Sequence, residues 1–129
     1  MLLRMLRSCA QRDGMCLLDE WTALETYLGA NGHSGTEGAA LKSTSGWALA
    51  NGTDDFGFSA LPGGYRVGSD GYFISAGSYG VWWSSSPSGG SGTAGSAYYR
   101  YLGDNDPNIY RALSSPRFGF SVRCLRDAD

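Results

Sequence analysis

One helical signal, followed by a train of short aromatic segments cut apart by turn residues, predicts a single α+β domain for this 129-residue chain. The apolar content, 42%, fills one packed interior at this length and is too little for two. Twenty glycines and 17 serines exclude a helical bundle, while four Trp, eight Tyr and five Phe spread among them exclude low-complexity disorder.

The helix comes first. Leu17, Trp21, Leu24 and Leu28 recur at helical spacing with Tyr27 beside them, giving an apolar stripe over about residues 18 to 28. Asp19 and Glu20 place negative charge at the end of the helix that favours it, and Gly29 stands at a natural stop. A second helical turn is expected over Glu37 to Lys42, where Ala39, Ala40 and Leu41 cluster. From Gly46 onward the pattern is that of consecutive antiparallel strands. Tyr65 to Val67 and Gly71 to Ile74 flank Gly68-Ser-Asp-Gly as a hairpin, and Gly80 to Ser85, Ala97 to Leu102, Asn108 to Leu113 and Phe118 to Leu125 follow. In the last segment Phe118, Phe120, Val122 and Cys124 share one face, which predicts a strand buried on that side. Ser84 to Ser96 reads as a Gly/Ser loop and Gly103-Asp-Asn-Asp-Pro-Asn as a turn.

Charge narrows the function. Ten bases against twelve acids give a net charge of -2, and nine of the bases are Arg, with Lys42 the single lysine. No basic stripe is present, so nucleic acid is not an expected partner. No apolar run is long enough to span a bilayer, and Arg4 and Arg7 interrupt the start too early for a signal-peptide core. Cys9, Cys16 and Cys124 match no zinc spacing and His33 is the lone histidine, so neither a metal nor a cofactor is expected.

The binding-like residues lie in the second half. Alternation puts Trp82 and Trp83 on opposite faces of a strand, one packing and one free to stack on a sugar or enter a partner's pocket. Tyr98, Tyr99, Tyr101 and Tyr110, interleaved with Arg100, Arg111, Asn105 and Asn108, combine large rigid contact area with adaptable hydrogen bonding. Tyr98 and Arg100 share a face with Leu102, and Tyr99 and Tyr101 share the other, so half of these tyrosines are expected to pack against the fold. The candidate ligand surface is therefore Trp82, Tyr98, Tyr99, Tyr101, Asn105, Asn108, Tyr110 and Arg111. Asp104, Asn105, Asp106 and Asn108 offer hard oxygens to Ca²⁺, but their spacing is not that of an EF-hand loop and an ordinary turn is the expectation. No acid, base and nucleophile fall into a catalytic pattern: His33 lies in a loop with no orienting partner, so no enzyme is expected.

Five motifs in order carry a family likeness. Gly57-Phe-Ser-Ala-Leu-Pro-Gly-Gly-Tyr-Arg, Gly71-Tyr-Phe, Trp82-Trp-Ser-Ser-Ser, Ala97-Tyr-Tyr-Arg-Tyr-Leu and Gly119-Phe-Ser-Val-Arg-Cys-Leu-Arg-Asp follow Asp19-Glu-Trp-Thr-Ala-Leu and Leu41-Lys-Ser-Thr-Ser-Gly-Trp. Over about residues 16 to 127 the chain resembles the Fibrobacter succinogenes major paralogous domain, a family of bacterial surface and secreted proteins. The resemblance implies a C-type-lectin-like fold: one main amphipathic helix and a twisted antiparallel sheet with long Gly/Ser loops. It implies a start that departs from the family, with residues 1–15 a leader outside it and residues 16–129 one domain without its first strands. It also implies a disulfide between Cys124 and Cys16, or Cys9 if the register is shifted, and a place outside the cell. The function implied is a non-catalytic binding or adhesion module for an unidentified glycan or protein. A structural envelope domain without a ligand site is the alternative; a formylglycine-generating type of enzyme and a variable binder of a diversity-generating retroelement are more distant ones.

Overall fold

A computed structural model describes residues 18–87 and 95–123. Helix α1 (Leu18–Leu28) buries Trp21, Leu24 and Leu28, the stripe that the helical spacing predicts. It does not stop at Gly29. The chain winds on through a wide turn, Gly29–His33, until Gly32 takes a φ of 91°, a left-handed value that costs glycine little. The Asn31 side-chain amide donates to the Tyr27 carbonyl at 2.8 Å, occupying one acceptor that the helix end leaves open.

Helix α2 (Glu37–Leu41) is the expected second turn and buries Gly38, Ala40 and Leu41. Gly38 sits directly against the carbonyls of Pro107 and Asn108, where a Cβ would collide with backbone. The Ala39 amide donates to the Pro107 carbonyl at 2.9 Å, so α2 is docked on a turn far along the chain.

The strands are β1 (Tyr65–Arg66), β2 (Phe73–Ile74), β3 (Tyr79–Pro87), β4 (Ala97–Gly103) and β5 (Tyr110–Ser114). β1 and β2 form the predicted hairpin, and β3, β4 and β5 form an antiparallel sheet in that order. A mixed α+β fold results. The register aligns Trp82 with Arg100, Trp83 with Tyr99, Val81 with Tyr101, and Tyr101 with Tyr110. Since side chains alternate along a strand, Trp82, Arg100 and Leu102 lie on one face, and Val81, Trp83, Tyr99, Tyr101 and Tyr110 on the other.

The first face packs on the helices. Trp82 and Leu102 join Trp21, Leu24, Leu28, Ala40, Leu41, Trp47, Phe58 and Ala60 in one core. Arg100, 1% exposed, is buried there as well, and its Nε donates to Glu25 Oε1 of α1 at 2.6 Å. The Arg100 Nη1 and the Trp21 indole N–H are buried without a hydrogen-bond partner among the described residues.

The last segment departs from expectation. Residues 118–123 pair with neighbours at only two points, Gly119 opposite Arg66 and Ser121 beside Trp82, instead of forming a continuous strand. Alternation holds as far as Phe118 and Phe120, which turn to the second sheet face, and Arg123, which lies over the Phe58 ring at 3.9 Å on the core side. Val122, expected to be buried, is half exposed because no described element covers it. Cys9, Cys16 and Cys124, and with them the disulfide that the resemblance implies, lie outside the described residues.

Candidate functional site

The second face of the sheet is an aromatic surface. Trp83 packs on Phe120 with ring centroids 4.3 Å apart, and Phe120 on Tyr99 at 4.7 Å. Tyr99 reaches Tyr101 at 5.9 Å, and Tyr101 stacks on Tyr110 at 5.2 Å with the planes 23° apart. Tyr65 closes the far side against Phe118 and Phe120, and Tyr79 adjoins Tyr101 at 6.2 Å. These offset and tilted contacts suit ring quadrupoles.

The rings surround a cleft. It has a volume of about 330 Å³ and is lined by Tyr65, Tyr79, Val81, Tyr99, Tyr101, Ser114, Phe118 and Phe120. Four phenol groups and one serine hydroxyl therefore border an otherwise apolar concavity, the composition of small-molecule sites in general. Burial, then the neighbouring Tyr101 and Tyr65, push the Tyr99 hydroxyl above its ordinary value of 10.0. It stays protonated near neutrality and keeps a proton to donate.

Three of the sequence-predicted residues converge here and the others do not. Tyr99 and Tyr101 line the cleft, and Tyr110 extends its rim through the stack on Tyr101. Tyr98 and Arg111 lie on the opposite face, where the Arg111 guanidinium sits 5.4 Å from the Tyr98 ring centre. Trp82 is corrected from surface to core. It is 6% exposed, packed beside Trp21 at 6.5 Å, and only borders a second groove with Leu61, Val122 and Arg123. The reason is that α1 covers its face of β3, leaving Trp83 as the indole among the cleft rings. Tyr65, Tyr79, Phe118 and Phe120 were missing from the candidate set. The alternation Tyr79, Val81, Trp83 on β3, matched to Tyr99 and Tyr101 on β4, was the signal available for Tyr79.

Asn105 and Asn108 belong to the β4–β5 turn, where Asp106 acts as a clasp. Its Oδ1 accepts from the Asn108 amide at 2.8 Å and from the Asn108 side-chain amide at 2.9 Å; its Oδ2 accepts from the Tyr110 hydroxyl at 2.6 Å. Both oxygens are occupied by protein donors, and no group of three His, Cys, Asp or Glu fit to hold a metal occurs among the described residues. The Tyr110 bond, then the Asn108 bonds, hold the Asp106 carboxyl below its ordinary 3.8, and the same Asp106 bond raises Tyr110 above 10.0. A depressed carboxyl contributes stability above 3.8 that is lost as pH falls through its folded value, and a raised phenol contributes stability below 10.0 that is lost as pH rises through its folded value. The Asn108 amide proton should therefore hold a constant chemical shift between those limits and move beyond each of them. A shift that is flat across the acid limb, or one that drifts through neutral pH, contradicts the clasp.

Lys42, which the sequence marked only as the single lysine, is a structural centre. Its Nζ is buried and donates to the carbonyls of Gly103 at 3.0 Å, Ala50 at 3.1 Å and Asp106 at 3.3 Å. Burial lowers its pKa, opposed by the charges of Asp104 and Asp106. The ammonium thus ties the loop after α2 to the turn that carries the clasp. His33 lies with Nε2 3.5 Å from Asp55 Oδ2 and its ring edge-on to Phe56, and no hydroxyl is hydrogen-bonded to its imidazole among the described residues.

A family model described as the Fibrobacter succinogenes major domain matches residues 18–126. No curated protein and no solved structure matches the chain. No helix among the described residues is long and apolar enough to cross a membrane.

Proposed function

We propose, from the premise that the chain belongs to the Fibrobacter succinogenes major domain family, that it is a non-catalytic binding module working outside a bacterial cell, with the aromatic cleft as its ligand site. A C-type-lectin-like architecture is part of the same proposal. The observation that carries the binding role is the cleft itself. Aromatic side chains usually bury themselves against other elements, yet here a concavity opens among Tyr65, Tyr79, Tyr99, Tyr101, Phe118 and Phe120, and Tyr79 keeps 40% of its surface in solvent. Rigid, amphipathic rings grouped around a concavity are what recognition surfaces use, because they bury much area at low cost in side-chain entropy. The rival reading, an envelope or assembly domain without a ligand site, draws on the exposed Tyr72, Phe73 and Ile74 of the hairpin.

Glycan and peptide arrays probed with the wild-type chain and with Tyr79→Ala and Tyr101→Ala separate the two. The binding role predicts ligands whose signal falls about tenfold or more in both variants while their unfolding midpoints stay close to wild type. Ligands held equally well by both variants, or none at all, favour the assembly reading. Tyr79 is the control for stability, being the more exposed ring.

A further inference from the structure

We infer that the cleft takes a neutral saccharide, one or two pyranose units of a larger uncharged glycan, stacked on the Tyr99–Tyr101 rings. The inference rests on the binding role proposed above and names the ligand class for that site.

The described lining offers an ionic ligand no opposite charge. None of the described lining residues is an acid, a lysine, an arginine or a histidine. Arg100 and Arg111 project from the other face of the sheet, and the Asp106 carboxylate is occupied by Tyr110 and Asn108. An anionic or cationic ligand entering this cleft would lose water and gain no opposite charge.

Hydroxyls decide against a hydrocarbon. Tyr65, Tyr79, Tyr99, Tyr101 and Ser114 bring five hydroxyl groups to the same lining as Val81, Phe118 and Phe120. An alkyl chain would cover those hydroxyls without pairing them, at a cost for each one desolvated. A pyranose has the matching chemistry: axial C–H bonds give it an apolar face for a ring, and its equatorial hydroxyls form a polar rim that can donate and accept. A volume of about 330 Å³ is at the small end for ligand sites, which suits one or two sugar rings.

An added peptide strand is disfavoured along β3 by the backbone. The edge of β3 that borders the cleft is already engaged, since the Gly64 amide donates to the Tyr79 carbonyl at 2.7 Å and Ser121 exchanges bonds with Val81 and Trp83 at 3.0 and 3.1 Å. Strand addition needs a free row of such groups.

Isothermal titration of the full chain with cello-, xylo- and manno-hexaose, with an oligogalacturonate and with decanoate tests the inference, beside an array of neutral glycans and the peptide array above. At least one neutral saccharide should bind saturably, about tenfold more weakly to Tyr101→Ala, and with little change in affinity as salt is raised, because no ion pair contributes. Tyr99→Phe, which keeps the ring and removes a hydroxyl, should weaken binding by a smaller factor and leave the fold intact. Preference for the oligogalacturonate or for decanoate overturns the neutral-saccharide inference. So does Tyr101-dependent capture of peptides with no neutral glycan bound, an outcome that leaves the binding role standing. Failure of every ligand class to depend on Tyr79 or Tyr101 overturns both.

Discussion

Trp82→Ala should lower the free energy of unfolding by about 3 to 5 kcal/mol, the cost of emptying a large aromatic from a closed interior. The indole lies between Trp21 of α1 and the backbone at Gly80, where even a single added Cβ would strike its ring. Since small domains hold only about 5 to 15 kcal/mol in all, the variant should show a large drop in its urea midpoint with an unchanged slope. Trp83→Ala should cost less, because Trp83 is half-buried among rings that can shift toward it, and its main effect should fall on the cleft. Equal destabilisation by the two substitutions, or a stable Trp82→Ala that loses ligand, would place Trp82 back on the surface.

Lys42→Met should cost about 3 kcal/mol, although methionine keeps most of the apolar stem. The loss is of donors: the carbonyls of Ala50, Gly103 and Asp106 share one ammonium, and the Gly103 bond is fully enclosed. Removing the charge also removes its burial penalty, which is why the cost falls short of three independent charged hydrogen bonds. Lys42→Arg should not rescue stability. The carbonyls of Gly103, Ala50 and Asp106 converge on one nitrogen at 3.0, 3.1 and 3.3 Å, a point that a compact, rotatable ammonium can serve and a planar guanidinium with its N–H bonds fixed in a fork cannot. Chemical denaturation of the two variants checks this. An Arg variant as stable as wild type would show that charge alone, and not the three-way geometry, holds the loops together.

The helix and the strand positions were legible in the sequence because each rests on periodicity. The α1 stripe and the hairpin around Gly68-Ser-Asp-Gly depend on local spacing, and the structure keeps both. What alternation yields is parity, not sign. It separates Trp82 from Trp83 and Arg100 from Tyr101, yet which set is buried depends on where α1 lands, a long-range fact. An arginine sharing a face with Leu102 looks like a solvent face in sequence. Here it is a core face, because Glu25 of α1 arrives to pair with it. Lys42 was illegible for a related reason, as its partners are backbone carbonyls, one in its own loop and two at the distant end of β4 and the turn after it, and leave no side-chain signature. The segment from Phe118 failed as a strand because its two backbone contacts are set by Arg66 and the β3 edge instead of by a continuous neighbour.

We propose that ligand recognition happens on the face of the sheet that bears Tyr99 and Tyr101. Aromatic proton NMR of the full chain during titration with the best neutral hexasaccharide tests it most directly. Shifts should be confined to the cleft rings Tyr65, Tyr79, Tyr99, Tyr101, Phe118 and Phe120 and to Trp83 and Tyr110 packed on them, with Trp21, Trp47 and Trp82 unmoved. Shifts centred on the hairpin residues Tyr72 and Phe73, or on Tyr98 across the sheet, with the cleft rings silent, would contradict it.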